Sequence, residues 1–120
     1  MHDPMIRLYL ESLELIAGVT TPSLSLESLI VFMMICEREE IPLTEIGDKM
    51  DWNYVKTYRI VNALAEQRYS NNQYHEGYHL VYTEEDPDNR ALKNAYLTDK
   101  GKQVRDQLLS MLKKTASKKA

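Results

Sequence analysis

A single cysteine, four glycines, one phenylalanine and one tryptophan in 120 residues leave several kinds of chemistry without their usual parts. One thiol, Cys36, forms no internal disulfide, which excludes a small stapled scaffold of the secreted kind. Four scattered glycines make no phosphate-cradling loop. No nucleophile stands with a base, and no carboxylate pair falls at a recognisable catalytic spacing, so no catalytic residue is assigned and the chain is read as not an enzyme. His2, His75 and His79 do not combine with Cys36 at a metal-ligand spacing, and neither a metal nor a cofactor is expected. A run of about 20 apolar residues is missing, as is a basic-then-apolar leader, and this points away from a membrane and toward a reducing, cytoplasmic compartment. Positive charge is scarce too. With a formal charge of -3 and a pI near 5.6, bulk charge will not hold the chain to nucleic acid or to anionic lipid; a local patch must do it.

The charge that is present is unevenly placed. Six acids face two bases between residues 37 and 51, whereas seven bases face two acids from Thr98 onward. By length the chain is one domain with a modest core, and a core of that size need not hide every apolar face of a monomer.

Hydrophobic period divides the sequence. Asp3 before Pro4 is a helix start, and Ile6, Tyr9, Leu10, Leu13, Ile16 and Ala17 recur at helical spacing as far as Gly18. Met5, Leu8 and Leu15 add a second apolar strip, so this first helix has two faces to bury. After VTTPS, the apolar run from Leu26 to Cys36 is long enough for a buried core helix, in which Cys36 is a small buried hydrophobe. Pro42 interrupts, TEIGDKM gives a short third helix with Ile46 and Met50 inward, and Asp51 with Trp52 makes a tight break in which Trp52 is expected in the core. Asn53 caps a fourth helix whose Thr57, Ile60, Val61 and Leu64 fall at i, i+3, i+4 and i+7. Two helices across a short turn make a helix-turn-helix.

Residues 68–79, RYSNNQYHEGYH, lose helical period and read as a polar, tyrosine-bearing loop. Strands over residues 78–83 and 91–97 then flank the turn EEDPDNR as a hairpin. Thr98 caps a last helix with Val104, Leu108, Met111 and Leu112 on one face and a lysine-rich end. The fold expected is mainly α with a small β-hairpin wing: a single winged helix-turn-helix domain over residues 1–120, with dimerisation helices at its two ends.

Three stretches resemble the MarR family of transcriptional regulators. LSLESLIVF is similar to the family's L-T-L-x-Q-x-x-V-L. NYVKTYRIVNAL resembles its recognition helix S-P-S-T-V-S-R-L-V-D-R-L, with Arg59, Ile60, Val61, Asn62 and Leu64 on matching positions. DPDNRALKNAYLTDKG is similar, without a gap, to D-P-x-D-R-R-x-x-x-V-x-L-T-x-K-G. Residues 68–79 are inserted where the family passes almost directly to the wing; Ala91 stands in place of a second wing arginine and Asn89 in place of an acid. The resemblance implies a homodimeric, sequence-specific binder of double-stranded DNA acting as a repressor, with room for a small-molecule effector.

The candidate site follows from helix geometry. With Thr57, Ile60, Val61 and Leu64 inward, Asn53, Tyr54, Val55, Lys56, Arg59 and Asn62 are candidates for the DNA face. Lys56 suits a phosphate or a guanine edge, Arg59 a guanine, Asn62 an adenine. Arg90 matches the family's wing arginine, which reaches the minor groove. Asp86 and Asp88 would repel phosphate, and are expected instead to bond turn amides and orient Arg90. Overall acidity and the inserted tyrosine-rich loop leave two alternatives: a winged-helix module that binds protein, or a plasmid or viral DNA-organising protein of the same fold.

Overall fold

The computed structural model describes residues 3–20 and 24–118. The chain divides into two compact units, one comprising Ser25–Lys102 and the other the two ends of the chain.

The Ser25–Lys102 unit begins with α2 (Leu26–Glu37), so numbered because α1 (Pro4–Val19) precedes it. Ser25 caps α2, its hydroxyl accepting from the amide of Ser28. The apolar run, expected as a buried core helix, is buried on one face only: Leu26, Ile30 and Met33 are exposed, whereas Val31, Phe32 and Ile35 are fully buried. Each such side chain contributes roughly 1.5 to 3 kcal/mol relative to exposure. Cys36, at the helix end, is half-buried rather than buried, because the chain turns away two residues later. Glu40, at φ 72, makes that turn and its amide bonds the carbonyl of Ala95. Strand β1 (Ile41–Pro42) follows at a sheet edge, where a proline costs no ladder bond.

The helix-turn-helix is α3 (Leu43–Met50) and α4 (Tyr54–Leu64). Asp51 ends α3 in the left-handed region (φ 57, ψ 44), and the Trp52 amide reaches back to the carbonyl of Gly47. Asn53 caps α4 through Oδ1, 2.8 Å from the Lys56 amide. On α4, Thr57, Ile60, Val61 and Leu64 are all buried, as their spacing predicts. Trp52 corrects an expectation. It is half-buried rather than core, since its ring has the Lys56 ammonium 4.8 Å above it.

The largest departure from the sequence reading lies in residues 68–79, which are not a loop. Strands β2 (Gln67–Ser70) and β3 (Gln73–Glu76) form a separate two-stranded antiparallel sheet. Its two-residue turn places Asn71 and Asn72 at φ 53 and 61, the paired left-handed conformation that a tight hairpin demands and asparagine tolerates. Tyr69 pairs with Tyr74 across the strands, ring centroids 4.9 Å apart. The wing strands are shorter than expected, β4 (Val81–Glu85) and β5 (Lys93–Leu97), and β1 joins them in the order β1-β5-β4.

Thr98 opens α5 (Asp99–Lys118), accepting from the Gly101 amide and donating its hydroxyl to the carbonyl of His79. Glycine at 101 is a matter of space. A Cβ there would lie 2.0 Å from the Leu80 carbonyl oxygen.

In the second unit, Asp3 caps α1 by accepting from the amides of Met5 and Ile6. Leu8 and Ile16 are buried, and Val104 and Leu108 are buried on α5. The stripe Ile6, Tyr9, Leu10, Leu13 lies exposed, as do Leu109 and Leu112, whereas Met111 is half-buried.

Gly101→Ala is expected to cost at least about 3 kcal/mol, because its methyl meets a carbonyl that cannot yield. Gly18→Ala is the control: among the described residues nothing outside its own helix backbone and chain neighbours lies within 4 Å of where a Cβ would stand, and removing glycine from a helix should gain roughly 0.5 to 1 kcal/mol. Urea unfolding of both variants measures the contrast.

Candidate nucleic-acid interface

Helical geometry puts one stripe of α4 directly opposite its buried one. Val55, Tyr58, Arg59 and Asn62 stand at i, i+3, i+4 and i+7. Val55 is 76% exposed, Tyr58 and Arg59 are exposed, and Asn62 is half-buried. Tyr58 is absent from the candidates the sequence suggested, though the same spacing counted from Val55 reaches it. Its ring stacks on Tyr54, centroids 6.3 Å apart, and the ammonium of Lys93 on β5 lies 5.0 Å over its face. Wing and helix thus meet through an aromatic ring.

The other candidates are placed differently. Asn53 is exposed, with Oδ1 engaged as the helix cap. Tyr54 lines a cavity of about 170 Å³ with Leu43, Thr44, Asp48, Trp52 and Thr57, which flanks the turn of the motif. Lys56 is only half-exposed. Its ammonium is 3.2 Å from Oε2 of Glu27 on α2 and leans on Trp52, which draws it back from the stripe. A pair this exposed is worth roughly 0.2 to 1 kcal/mol, little enough for a phosphate to compete with it.

At the wing, one carboxylate organises the turn. Asp86 Oδ1 accepts from the amides of Asp88 (2.8 Å) and Asn89 (3.3 Å), and Oδ2 from Nδ2 of Asn94 (3.1 Å). The Asp88 amide, the Asn94 amide and the Asn89 amide together hold the Asp86 carboxyl below its ordinary value of 3.8. Asp88 differs from expectation: it supplies its backbone amide to the turn, and the second side-chain acceptor is Asn89, which takes the Ala91 amide at 3.1 Å. Arg90 is exposed at the tip, and no ion pair joins it to Asp86 or Asp88. The stiffening that an aspartate-arginine pair would give comes here from Asp86 and Asn94. Asn94 is buried, and its Oδ1 has no hydrogen-bond partner among the described residues.

The surroundings are acidic. The Ser25–Lys102 unit carries fourteen acids and nine bases, a formal charge of -5. Glu84, Glu85, Asp86 and Asp88 crowd the wing around Arg90 and Lys93. Among the described residues no cluster of His, Cys, Asp and Glu could hold a metal ion, and no helix is long and apolar enough to cross a membrane.

Asp86→Ala should free the turn: the Asp88 and Asn89 amides then exchange faster, and the unfolding midpoint falls as well, because the buried amide of Asn94 loses its partner. The pH dependence has a definite sign. A carboxyl whose value is depressed by folding adds order that is complete above 3.8 and is lost as pH falls through its lower folded value. Amide exchange followed by NMR from pH 6 down to 2.5 tests both statements.

No protein-family model and no curated protein matches the chain. Solved structures do. A MarR transcriptional regulator from Methanosarcina mazei Go1 superposes with a TM-score of 0.60 at 16% identity, over 93% of this chain and 73% of that one. A MarR-family regulator from Rhodococcus sp. RHA1 gives 0.56 at 20% identity, over 95% and 74%. The PcaV transcriptional regulator from Streptomyces coelicolor, in complex with its natural ligand, gives 0.57 at 14%, over 93% and 72%. At these identities the likeness is one of fold: the chain has the winged-helix fold of MarR-type regulators.

Proposed function

We propose that this chain is a sequence-specific, double-stranded DNA-binding transcriptional regulator that acts as a homodimer and represses by occupying its operator. The observation that carries the reading is the outward stripe of exposed Val55, Tyr58 and Arg59 and half-buried Asn62 on the second helix of a helix-turn-helix, with Arg90 at the tip of the adjoining wing. A helix of this kind fits the major groove, where base edges differ, and a wing arginine suits the narrow minor groove beside it. The MarR-type fold, shared with proteins described as transcriptional regulators, supports the same use.

Support for a dimer comes from α1 and α5. Ile6, Tyr9, Leu10 and Leu13 make a continuous exposed apolar stripe, and Leu109 and Leu112 add to the exposed apolar area. Water disfavours an apolar face of that length, and a second copy would cover it with an identical face. A small-molecule effector is a further part of this reading, prompted by the ligand-bound regulator among the structural relatives. The formal charge of -5 on the Ser25–Lys102 unit favours a second reading, a winged-helix module that binds a basic protein surface.

Selection from a random duplex pool separates the two. The expected winner is an inverted repeat with half-sites about one helical turn, roughly 10 base pairs, apart. Arg59→Ala should lose roughly 1 to 3 kcal/mol of discrimination at one position per half-site, and Arg90→Ala roughly 1 to 2 kcal/mol of overall affinity. Glu27→Gln releases Lys56 and removes a repelling carboxylate; duplex affinity should rise, and the log-log salt slope should steepen by about 1 per protomer. Failure to enrich any duplex at low salt would transfer the function to a protein partner. Sedimentation at low micromolar concentration is expected to find a dimer, and a folded monomer would remove that part of the reading.

A further inference from the structure

The most exposed apolar side chain on the stripe is the one with least structural reason to be there. Val55 sits in the first turns of α4 at 76% exposure. A β-branched residue at a solvated helical position is a poorer helix former than alanine, and this one buries little in return. Its neighbours make it part of a patch rather than an isolated exception. Tyr54 and Tyr58 stack on each other beside it, and Lys56, the cation that would otherwise lie next to it, is drawn off toward Glu27 and Trp52. The leading end of the reading helix is therefore apolar.

An isopropyl group offers neither a donor nor an acceptor. Set against the amino group of cytosine or adenine, or the acceptors of guanine, it would displace water without replacing a hydrogen bond. Among major-groove features only the 5-methyl group of thymine is its complement. Spacing adds a second condition. Arg59 lies four residues along the same stripe, roughly 6 Å of helix rise, and successive bases on a strand are about 3.4 Å apart. The two side chains therefore address positions no more than two steps apart.

Resting on the DNA-binding reading above, we propose that Val55 reads the methyl group of a thymine within two base steps of the guanine bound by Arg59, and so fixes a thymine in each half-site. Specificity at that position then arises without a hydrogen bond, from one methyl contact and from the penalty for stranding a polar base edge. This is consistent with an acidic unit that has few cations to spend on affinity.

The experiment replaces thymine by deoxyuridine, one position at a time, in one half-site of the duplex selected from the pool, with binding read by fluorescence anisotropy. Loss of one buried methyl should weaken wild-type binding about fourfold, at a single position within two steps of the base whose discrimination Arg59→Ala abolishes. Val55→Ala, at an exposed site where folding is not at stake, should bind thymine and deoxyuridine duplexes equally, and both about fourfold more weakly than wild type binds the deoxyuridine duplex, because the variant lacks the contact in both half-sites. Circular dichroism confirms that the variant is folded. Indifference of the wild type to deoxyuridine at every position, or a thymine preference that survives in Val55→Ala, overturns the inference and leaves the DNA-binding function standing. Enrichment of no duplex at all overturns both.

Discussion

The backbone of Leu80 is the fixed point of the Ser25–Lys102 unit. Its amide donates to the carbonyl of Leu64, closing the C-terminal end of α4, and its carbonyl accepts from the amide of Thr98 at the start of α5. Its side chain is fully buried and the next residue begins β4. The end of α4, the first strand of the wing and the first turn of α5 are thus tied to one residue. Gly101 follows from this. The carbonyl that Thr98 bonds is the same oxygen that leaves no room for a Cβ one turn later, so bringing α5 close enough to make the bond requires glycine. Gly47 repeats the logic inside the helix-turn-helix, where its built Cβ lies 2.8 Å from Oγ1 of Thr57 and 3.2 Å from the Trp52 carbonyl. The angle between α3 and α4 rests on that close approach.

Electrostatics pull against the shape. The proposed use would set α4 and the hairpin against a polyanion, yet this hairpin carries four carboxylates and its unit has a formal charge of -5. Two local devices reduce the conflict. Asp86 is turned inward on amides, so that its charge is spread over three hydrogen-bonded donors rather than aimed outward. Lys56 and Glu27 neutralise each other beside α4. What is left facing outward on the stripe is one guanidinium, one amide and two apolar or aromatic groups, a surface better suited to short-range recognition than to long-range attraction.

The helices were legible because apolar period sets their existence. On α4 it also sets which face is buried, whereas on α1 the apolar stripe Ile6, Tyr9, Leu10 and Leu13 is exposed. Every inward position expected on α4 is buried, the caps Asp3 and Asn53 hold the amides their types predict, and the winged-helix layout emerged from the order of elements alone. The parts that were not legible depend on contacts remote in sequence or on backbone angles. Asn94 replaces an arginine as the partner of Asp86 from eight residues away, across the hairpin. Trp52 was expected in the core because tryptophan is large and apolar; the Lys56 ammonium gives its face a polar neighbour that no local pattern signals. The β2–β3 hairpin was missed because Asn-Asn is a weaker turn signal than Asn-Gly, and because four-residue strands of Gln, Arg, Tyr and His lack the apolar alternation by which half-buried strands are recognised.

That hairpin leaves the packing around it undisturbed. The segments on either side of it are already bound to each other: the amides of Gly77, Tyr78, His79 and Leu80 bond the carbonyls of Glu66, Ala63, Ala65 and Leu64. These bonds close the end of α4 whatever lies between residues 66 and 77, so the hairpin adds only the entropy of closing a short loop, which grows slowly with length. Its base is then fastened by its own side chains. Arg68 Nε donates to the carbonyl of Glu76 and its guanidinium lies 5.8 Å over the ring of Tyr78, while His79 Nε2 sits 2.7 Å from Oε1 of Glu76. A two-stranded ribbon is marginal alone, and here the clamped base and the Tyr69–Tyr74 pair supply what a third strand would. Tyr69 and Tyr74 remain exposed while they hold the ribbon together, so the hairpin is stabilised by contacts of its own rather than by burial against the core.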